Sequence, residues 1–172
     1  MALATVDGGR GYWHPHPDDD PMGMVVDEFI PMLQSWGLGR ASRSVGVMGI
    51  SMGGYGALLF GECYPHLFGA VAAISPAIWT SYAQARAVNS AAYDNSEQFA
   101  LYDVVTHAAA LGEMPVRIAS GYADPFYPGV VAFASHLGHR AQVVHAGGCH
   151  TGSFFESQEP EMLQFLASRL HS

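Results

Sequence analysis

The segment Gly49-Ile50-Ser51-Met52-Gly53 sets a serine between two glycines at the G-x-S-x-G spacing of a nucleophile elbow. Such a turn holds its serine in strained backbone between a strand and a helix, so the residues around it must be small. The N–H of the next residue, Met52, then faces the place where an oxyanion would develop. A serine hydroxyl is a poor nucleophile until a histidine takes its proton, and a carboxylate must orient that histidine. The chain offers both in loops: Asp124 closes Gly121-Tyr122-Ala123-Asp124, and His150 lies in Gly147-Gly148-Cys149-His150-Thr151-Gly152. Asp103 and Glu113 are rival acids, but neither sits just after a strand-like run. Among rival bases, His145 falls within such a run, and His136 and His139 fall around a helix end. Cys149 does not occupy an elbow and reads as a packed or redox-inert thiol.

Each candidate needs an element that ends just before it. Ser44 to Ile50 reads as a buried strand leading into Ser51, and Tyr55 to Tyr64 reads as a buried helix stopped by Pro65. Gly69 to Ser75 is a second apolar strand. Residues 76–114 lack a strand pattern and read as an insertion of short helices over the strand ends. Val116 to Ser120 is a strand leading to Asp124, Gly129 to Leu137 a short helix, and Gln142 to Ala146 a strand leading to His150. Glu159 to Leu170 closes the chain as an amphipathic helix.

At the other end, Ala2 to Val6 reads as a strand broken by Asp7-Gly8-Gly9, followed by a loop over 10–21. Asp20 and Pro21 supply an N-cap and a first-turn proline. The helix they start runs to about Trp36, with Val25, Val26, Phe29, Ile30, Leu33 and Trp36 on its apolar side, a kink at Pro31 and a stop at Gly37 and Gly39. Strands alternating with helices predict an α/β fold, with a mostly parallel sheet, right-handed crossovers and helices on both faces. One domain over 1–172 accommodates it.

Composition excludes more than it assigns. The chain is 49% hydrophobic and only 13% charged, about half the roughly 25% charge of ordinary globular chains. That rules out a disordered chain. The formal net charge is −8, and the basic residues are the scattered Arg10, Arg40, Arg43, Arg86, Arg117, Arg140 and Arg169. A nucleic-acid surface needs clustered basic residues, so none is expected. No apolar run reaches the roughly 18 residues of a membrane span. Cys63 and Cys149 make neither a disulfide framework nor a zinc site. His14, His16, Asp18, Asp19 and Asp20 lack a ligand spacing and read as a solvated loop with a capping aspartate. Tyr12, Trp13 and Trp79 follow strand ends, where they are candidates to line an acyl or alcohol pocket, although core packing is the simpler role.

The order Ser51, Asp124, His150 is that of α/β-hydrolases. The chain resembles one branch of them, that of esterase D (S-formylglutathione hydrolase), the feruloyl esterases and the antigen 85 mycolyltransferases. The likeness rests on Gly49-Ile50-Ser51-Met52-Gly53-Gly54-Tyr55-Gly56-Ala57, Ser75-Pro76, Gly121-Tyr122-Ala123-Asp124 and Gly148-Cys149-His150. It extends weakly to Val6-Asp7-Gly8-Gly9 and Glu28-Phe29-Ile30-Pro31. The resemblance implies Ser51 as nucleophile, Asp124 as acid, His150 as base and the Met52 N–H as one oxyanion donor. It implies a small-molecule or lipid ester as substrate, with hydrolysis or acyl transfer as the reaction and no metal or organic cofactor.

In that branch further strands precede the one matching Ala2 to Val6, and the loop after the third supplies the second oxyanion donor. No segment here corresponds to it. The missing strand lies between those matching Ala2–Val6 and Ser44–Ile50, so the expectation is either a gap or two flanking strands closed together. The alternative function is a truncated, catalytically impaired remnant that serves as a binding module. A start at Met1 implies the cytoplasm; a start further upstream leaves room for a secretory leader.

Overall fold

The structure, a computed structural model, describes residues 1–138 and 141–170. His139 and Arg140 lie outside the described residues. Four parallel strands form the sheet: β1 (Val45–Ile50), β2 (Phe68–Ile74), β3 (Val116–Gly121) and β4 (Ala141–Ala146). They lie side by side in chain order, with Gly49 opposite Ala73, Ile74 opposite Ala119 and Gly121 opposite Ala146. All four carboxyl ends therefore reach the same rim.

The central strand β2 is buried on both faces because its side chains alternate between two cores. Val71 and Ala73 join Val116 and Ile118 under α3 (Met52–Cys63) and α7 (Tyr127–Ala134). Ala70, Ala72 and Ile74 meet Phe154, Met162, Phe165 and Leu166 of α8 (Gly152–Leu170) on the opposite face. β1 is half-buried along its length, not buried as its sequence reads, because it stands at the sheet edge. Residues 76–114 carry α4 (Tyr82–Val88), α5 (Ser96–Leu101), α6 (Val104–His107) and a 3₁₀ turn over Ala108–Leu111. This agrees with the short helices read there.

Ala2 to Val6 forms no strand, and Ala2 to Thr5 are exposed. An apolar run becomes a strand only where a neighbour takes its backbone hydrogen bonds, and this one has no partner strand among the described residues. The two flanking strands have therefore not closed together.

The first helix starts as read, with Asp20 accepting the Gly23 N–H at 2.8 Å. It runs as α1 (Pro21–Gly23), a π turn over Met24–Phe29 and α2 (Ile30–Ser35). Pro31 lacks an N–H and its ring crowds the carbonyl four residues back; a π turn placed just before it widens the ladder there. The Ile30 N–H accordingly reaches the Val25 carbonyl, five residues back. Trp36 ends the helix 65% exposed, so it does not belong to the apolar side.

Helix starts moved most. α3 begins at Met52, leaving Ser51 alone as the turn. α7 takes Pro128 into its first turn, where a missing N–H costs nothing, and ends at Ala134. α8 begins at Gly152 and runs through Pro160.

Candidate active site

Ser51 has φ 57° and ψ −119°, a region that a residue with a side chain adopts only under strain. Its neighbours hold it there. The Ser51 N–H bonds to the Ile74 carbonyl across the sheet, and its own carbonyl accepts from Tyr55 and Ala77. Gly49 is required by space: a Cβ there would lie 2.0 Å from the Gly53 carbonyl oxygen. Gly53 is not, since nothing described stands within 4 Å of its absent Cβ. Only the first glycine of the pattern thus answers to packing. Met52 opens α3, so its N–H is among those a helix does not bond internally.

Asp124 and His150 arrive from the two neighbouring strand ends. Their loops are sewn together: the Ala123 N–H reaches the Gly148 carbonyl at 2.9 Å and the Tyr122 N–H the Ala146 carbonyl at 2.9 Å. The approach is close enough that a Cβ on Gly121 would lie 2.4 Å from the Gly148 oxygen. A Cβ on Gly148 would lie 2.3 Å from the Phe154 ring. The sequence reading placed these two glycines in the motifs around Asp124 and His150, but the close approach that requires them was not legible there.

The three side chains meet. His150 Nδ1 lies 2.9 Å from Asp124 Oδ2, and Nε2 lies 2.8 Å from Ser51 Oγ. An ionised carboxylate only accepts, so Nδ1 carries the proton and the Nε2 lone pair faces the serine hydroxyl. Asp124 is 4% exposed, and its other oxygen accepts the Phe126 N–H at 2.9 Å. That bond leaves the carboxylate little freedom to turn. The imidazole is held between the rings of Phe126 and Phe155, with centroids 5.1 and 5.0 Å away. Phe126 could have been found two residues after Asp124; Phe155 was hidden because α8 starts earlier than it reads. The arrangement can take a proton from Ser51 and return it.

The rivals stand elsewhere. Asp103 caps α6, accepting from Val105 N–H and Thr106 Oγ1. His145 packs against Tyr122 and Tyr127. Cys149 is exposed, with Sγ 3.4 Å from the Ala123 oxygen, so it is not packed as expected.

The three aromatic candidates separate. Tyr12 is buried among Tyr55, Tyr93 and Trp79, and burial pushes its phenol far up. The Trp13 indole fills the space beside Gly8 and Gly56. Both belong to the core. Trp79 instead stands edge-on to Phe126 at 4.7 Å and lines a cavity of about 280 Å³ next to it. A second cavity, of about 100 Å³, lies at the opposite end of the strands beside Val116 and Ala141.

His14 corrects the reading of a solvated loop. It is fully buried, with Nε2 2.8 Å from the Ala92 carbonyl and its ring stacked on Tyr93 and Tyr102. His16 reaches Asp94 at 3.1 Å and the Gly11 carbonyl at 2.7 Å. Among the described residues no cluster of His, Cys, Asp and Glu could hold a metal ion, and no helix is long and apolar enough to cross a membrane.

Solved structures show the same fold. A ferulic acid esterase superposes with a TM-score of 0.75 at 18% identity, over 90% of this chain and 62% of that one. The S-formylglutathione hydrolase of Agrobacterium tumefaciens gives 0.71 at 21%, over 93% of this chain and 63% of that one. MPT51 of Mycobacterium tuberculosis gives 0.74 at 16%, over 94% and 74%. The chain thus spans less than two thirds of the first two, and carries an α/β-hydrolase fold. No curated protein matches the sequence significantly. The sequence profile of the family described as Putative esterase matches residues 24–129, more than half of the chain, from the π turn through Ser51 and Asp124 to the start of α7, and the chain belongs to that family.

Proposed function

We propose that the chain is a serine carboxylesterase that works through an acyl-enzyme on Ser51. The observation that carries this reading is the continuous relay from Ser51 Oγ through His150 to Asp124, at 2.8 and 2.9 Å. Ser51 Oγ attacks the ester carbonyl carbon while its proton passes to His150 Nε2. The carbonyl oxygen, now an anion, faces the Met52 N–H and the positive end of α3. The carbon–oxygen ester bond breaks as Nε2 returns the proton to the leaving alkoxide. Water then attacks the acyl carbon, loses a proton to Nε2, and frees Ser51 with the carboxylic acid. A second alcohol in place of water gives acyl transfer. The steps ask for no cofactor, and the substrate is a small-molecule or lipid ester.

One observation favours a second reading, an impaired remnant of the fold. β1 stands at the sheet edge, and no described segment occupies the place that the resemblance gives to the strand before the second oxyanion donor. Loss of one such donor costs about 10²–10³ in turnover. The test is p-nitrophenyl acetate hydrolysis by folded protein. The esterase reading expects turnover that falls about 10³–10⁶-fold in Ser51→Ala and about 10⁴-fold in Asp124→Asn. Turnover no faster than buffer, or unchanged in both variants, rejects it in favour of the remnant.

A further inference from the structure

β1 and β2 meet at the nucleophile with unequal numbers of residues. Gly49 stands opposite Ala73 and Ile50 opposite Ile74, so the next pair in that register is Ser51 with Ser75. In a regular parallel ladder Ser51 bonds the residues on either side of its opposite: its N–H reaches the carbonyl of residue 74, and its carbonyl accepts from residue 76. The first bond is made, to Ile74 at 3.0 Å. The second cannot form, because residue 76 is a proline and has no N–H. The Ala77 N–H takes its place, 2.9 Å from the Ser51 oxygen. Ser75 and Pro76 together thus oppose Ser51 alone, which makes a bulge in the ladder. Ser75 absorbs the extra residue with a φ of 45°, in the left-handed region that a side chain disfavours.

The bulge is held from two further sides. Ser75 is fully buried and gives its N–H to the Ala119 carbonyl of β3 at 2.7 Å. Gly54 seats the first turn of α3 on it, since a Cβ there would lie 3.0 Å from Pro76 Cα and 3.2 Å from the Ile74 oxygen. The Ser75 hydroxyl has no partner among the described residues, so the residue acts through its backbone.

What the bulge holds is the peptide between Ser51 and Met52. A trans peptide is planar, with its C=O and N–H pointing opposite ways. The Ser51 carbonyl therefore shares a plane with the Met52 N–H, and fixing one aims the other. The Tyr55 N–H, four residues on, gives that carbonyl the ordinary first bond of a helix. The Ala77 N–H adds a second bond from the sheet, and two donors on one carbonyl also polarise the peptide and strengthen its N–H.

We propose that the Ser75-Pro76 bulge aims the Met52 N–H, and that Ser75, Pro76 and Ala77 are positioning residues for the oxyanion. The inference rests on the esterase reading for what this N–H does, but its direction can be measured without turnover. Pro76→Ala returns an N–H to residue 76 and lets the ladder close in its regular register. Ser75→Val opposes the bulge from the other side, with a β-branched side chain at a positive φ.

In wild-type protein, nuclear magnetic resonance should show a scalar coupling across the hydrogen bond from the Ala77 nitrogen to the Ser51 carbonyl carbon. In the folded variants that coupling should weaken or vanish, and the residual dipolar coupling of the Met52 N–H should change while those of α8 stay in place. With p-nitrophenyl acetate, kcat per Ser51 titrated by a fluorophosphonate should fall about tenfold or more, toward the roughly 10²–10³ that loss of a whole donor costs. KM should stay within about twofold, because acylation and deacylation both pass through an oxyanion and slow together. A wild-type spectrum without the Ala77–Ser51 coupling overturns the proposal. So does a Met52 N–H whose direction is unmoved in Pro76→Ala, the variant that decides if Ser75→Val does not fold. A moved N–H with unchanged kcat overturns it as well. If wild-type protein turns over no ester, the esterase reading fails while the couplings still decide whether the bulge aims the N–H.

Discussion

His150 and His14 are both held among aromatic rings, and they are used in opposite ways. His150 sits at the carboxyl rim with one nitrogen on a carboxylate and the other on a hydroxyl. Its two partners differ in kind, the carboxylate fixing the N–H at Nδ1 and the hydroxyl facing the lone pair at Nε2, so the ring can take a proton at Nε2 and give it back there. His14 is buried in the amino-terminal segment with both nitrogens near carbonyl oxygens, Ala92 at 2.8 Å and Pro15 at 3.3 Å. A neutral imidazole has a single N–H, so only the shorter contact can be a full hydrogen bond. Burial, outweighing those carbonyls, pushes its pKa down to about 4. What a histidine does here follows from what its two nitrogens face, and not from how tightly it is packed.

The sharpest way to break that contrast is to remove His14. His14→Ala deletes a fully buried ring stacked on two tyrosines, together with the bond that clasps residues 11–16 to the 92–94 turn. It should cost about 2–4 kcal/mol in urea unfolding at pH 7. With the folded pKa of His14 below the ordinary 6.5, the unfolded chain binds the proton first. Stability from this residue is therefore present above pH 6.5 and lost as pH falls toward 4. An unmoved urea midpoint in His14→Ala would mean that the clasp is not structural.

Glu62 gives a smaller effect of the opposite sign. It is 7% exposed at the end of α3, and neither carboxyl oxygen has a hydrogen-bond partner among the described residues. Burial, with Asp103 adding to it, pushes its pKa up to about 9. The folded protein keeps this proton after the unfolded chain has lost it, so stability falls as pH rises from about 4.5 to about 9. Glu62→Gln keeps the shape and removes the titration. It should gain about 1–3 kcal/mol near pH 8 and almost nothing near pH 4.5. A gain independent of pH would assign the effect to something other than ionisation.

The same contrast explains what could be read from the sequence. The relay was legible because each member sits directly after a strand, and chain order carries through to the rim when the strands lie side by side in that order. The elbow glycine Gly49, the capping Asp20 and the short helices over 76–114 are local events with local signals. The clasp is not local: His14 meets Ala92 and Tyr102 across some eighty residues, and nothing near His14 announces them. Ala2 to Val6 failed for a related reason, since a strand pattern is a demand for a neighbour, and the gap that the sequence leaves beside it decided against a strand where its apolar run alone read as one. Phe155 was missed because the closing helix reads from Glu159, whereas a long apolar face on the sheet carries α8 from Gly152 through Pro160.

The most direct test of the account is intact-mass analysis after exposure to a fluorophosphonate. Folded wild-type protein should gain one phosphonyl group, mapped by fragmentation to Ser51, while His150→Ala gains it far more slowly and Ser51→Ala not at all. A monodisperse, folded wild-type protein that stays unlabelled, or is labelled equally in Ser51→Ala, would contradict the claim that Ser51 is an activated nucleophile.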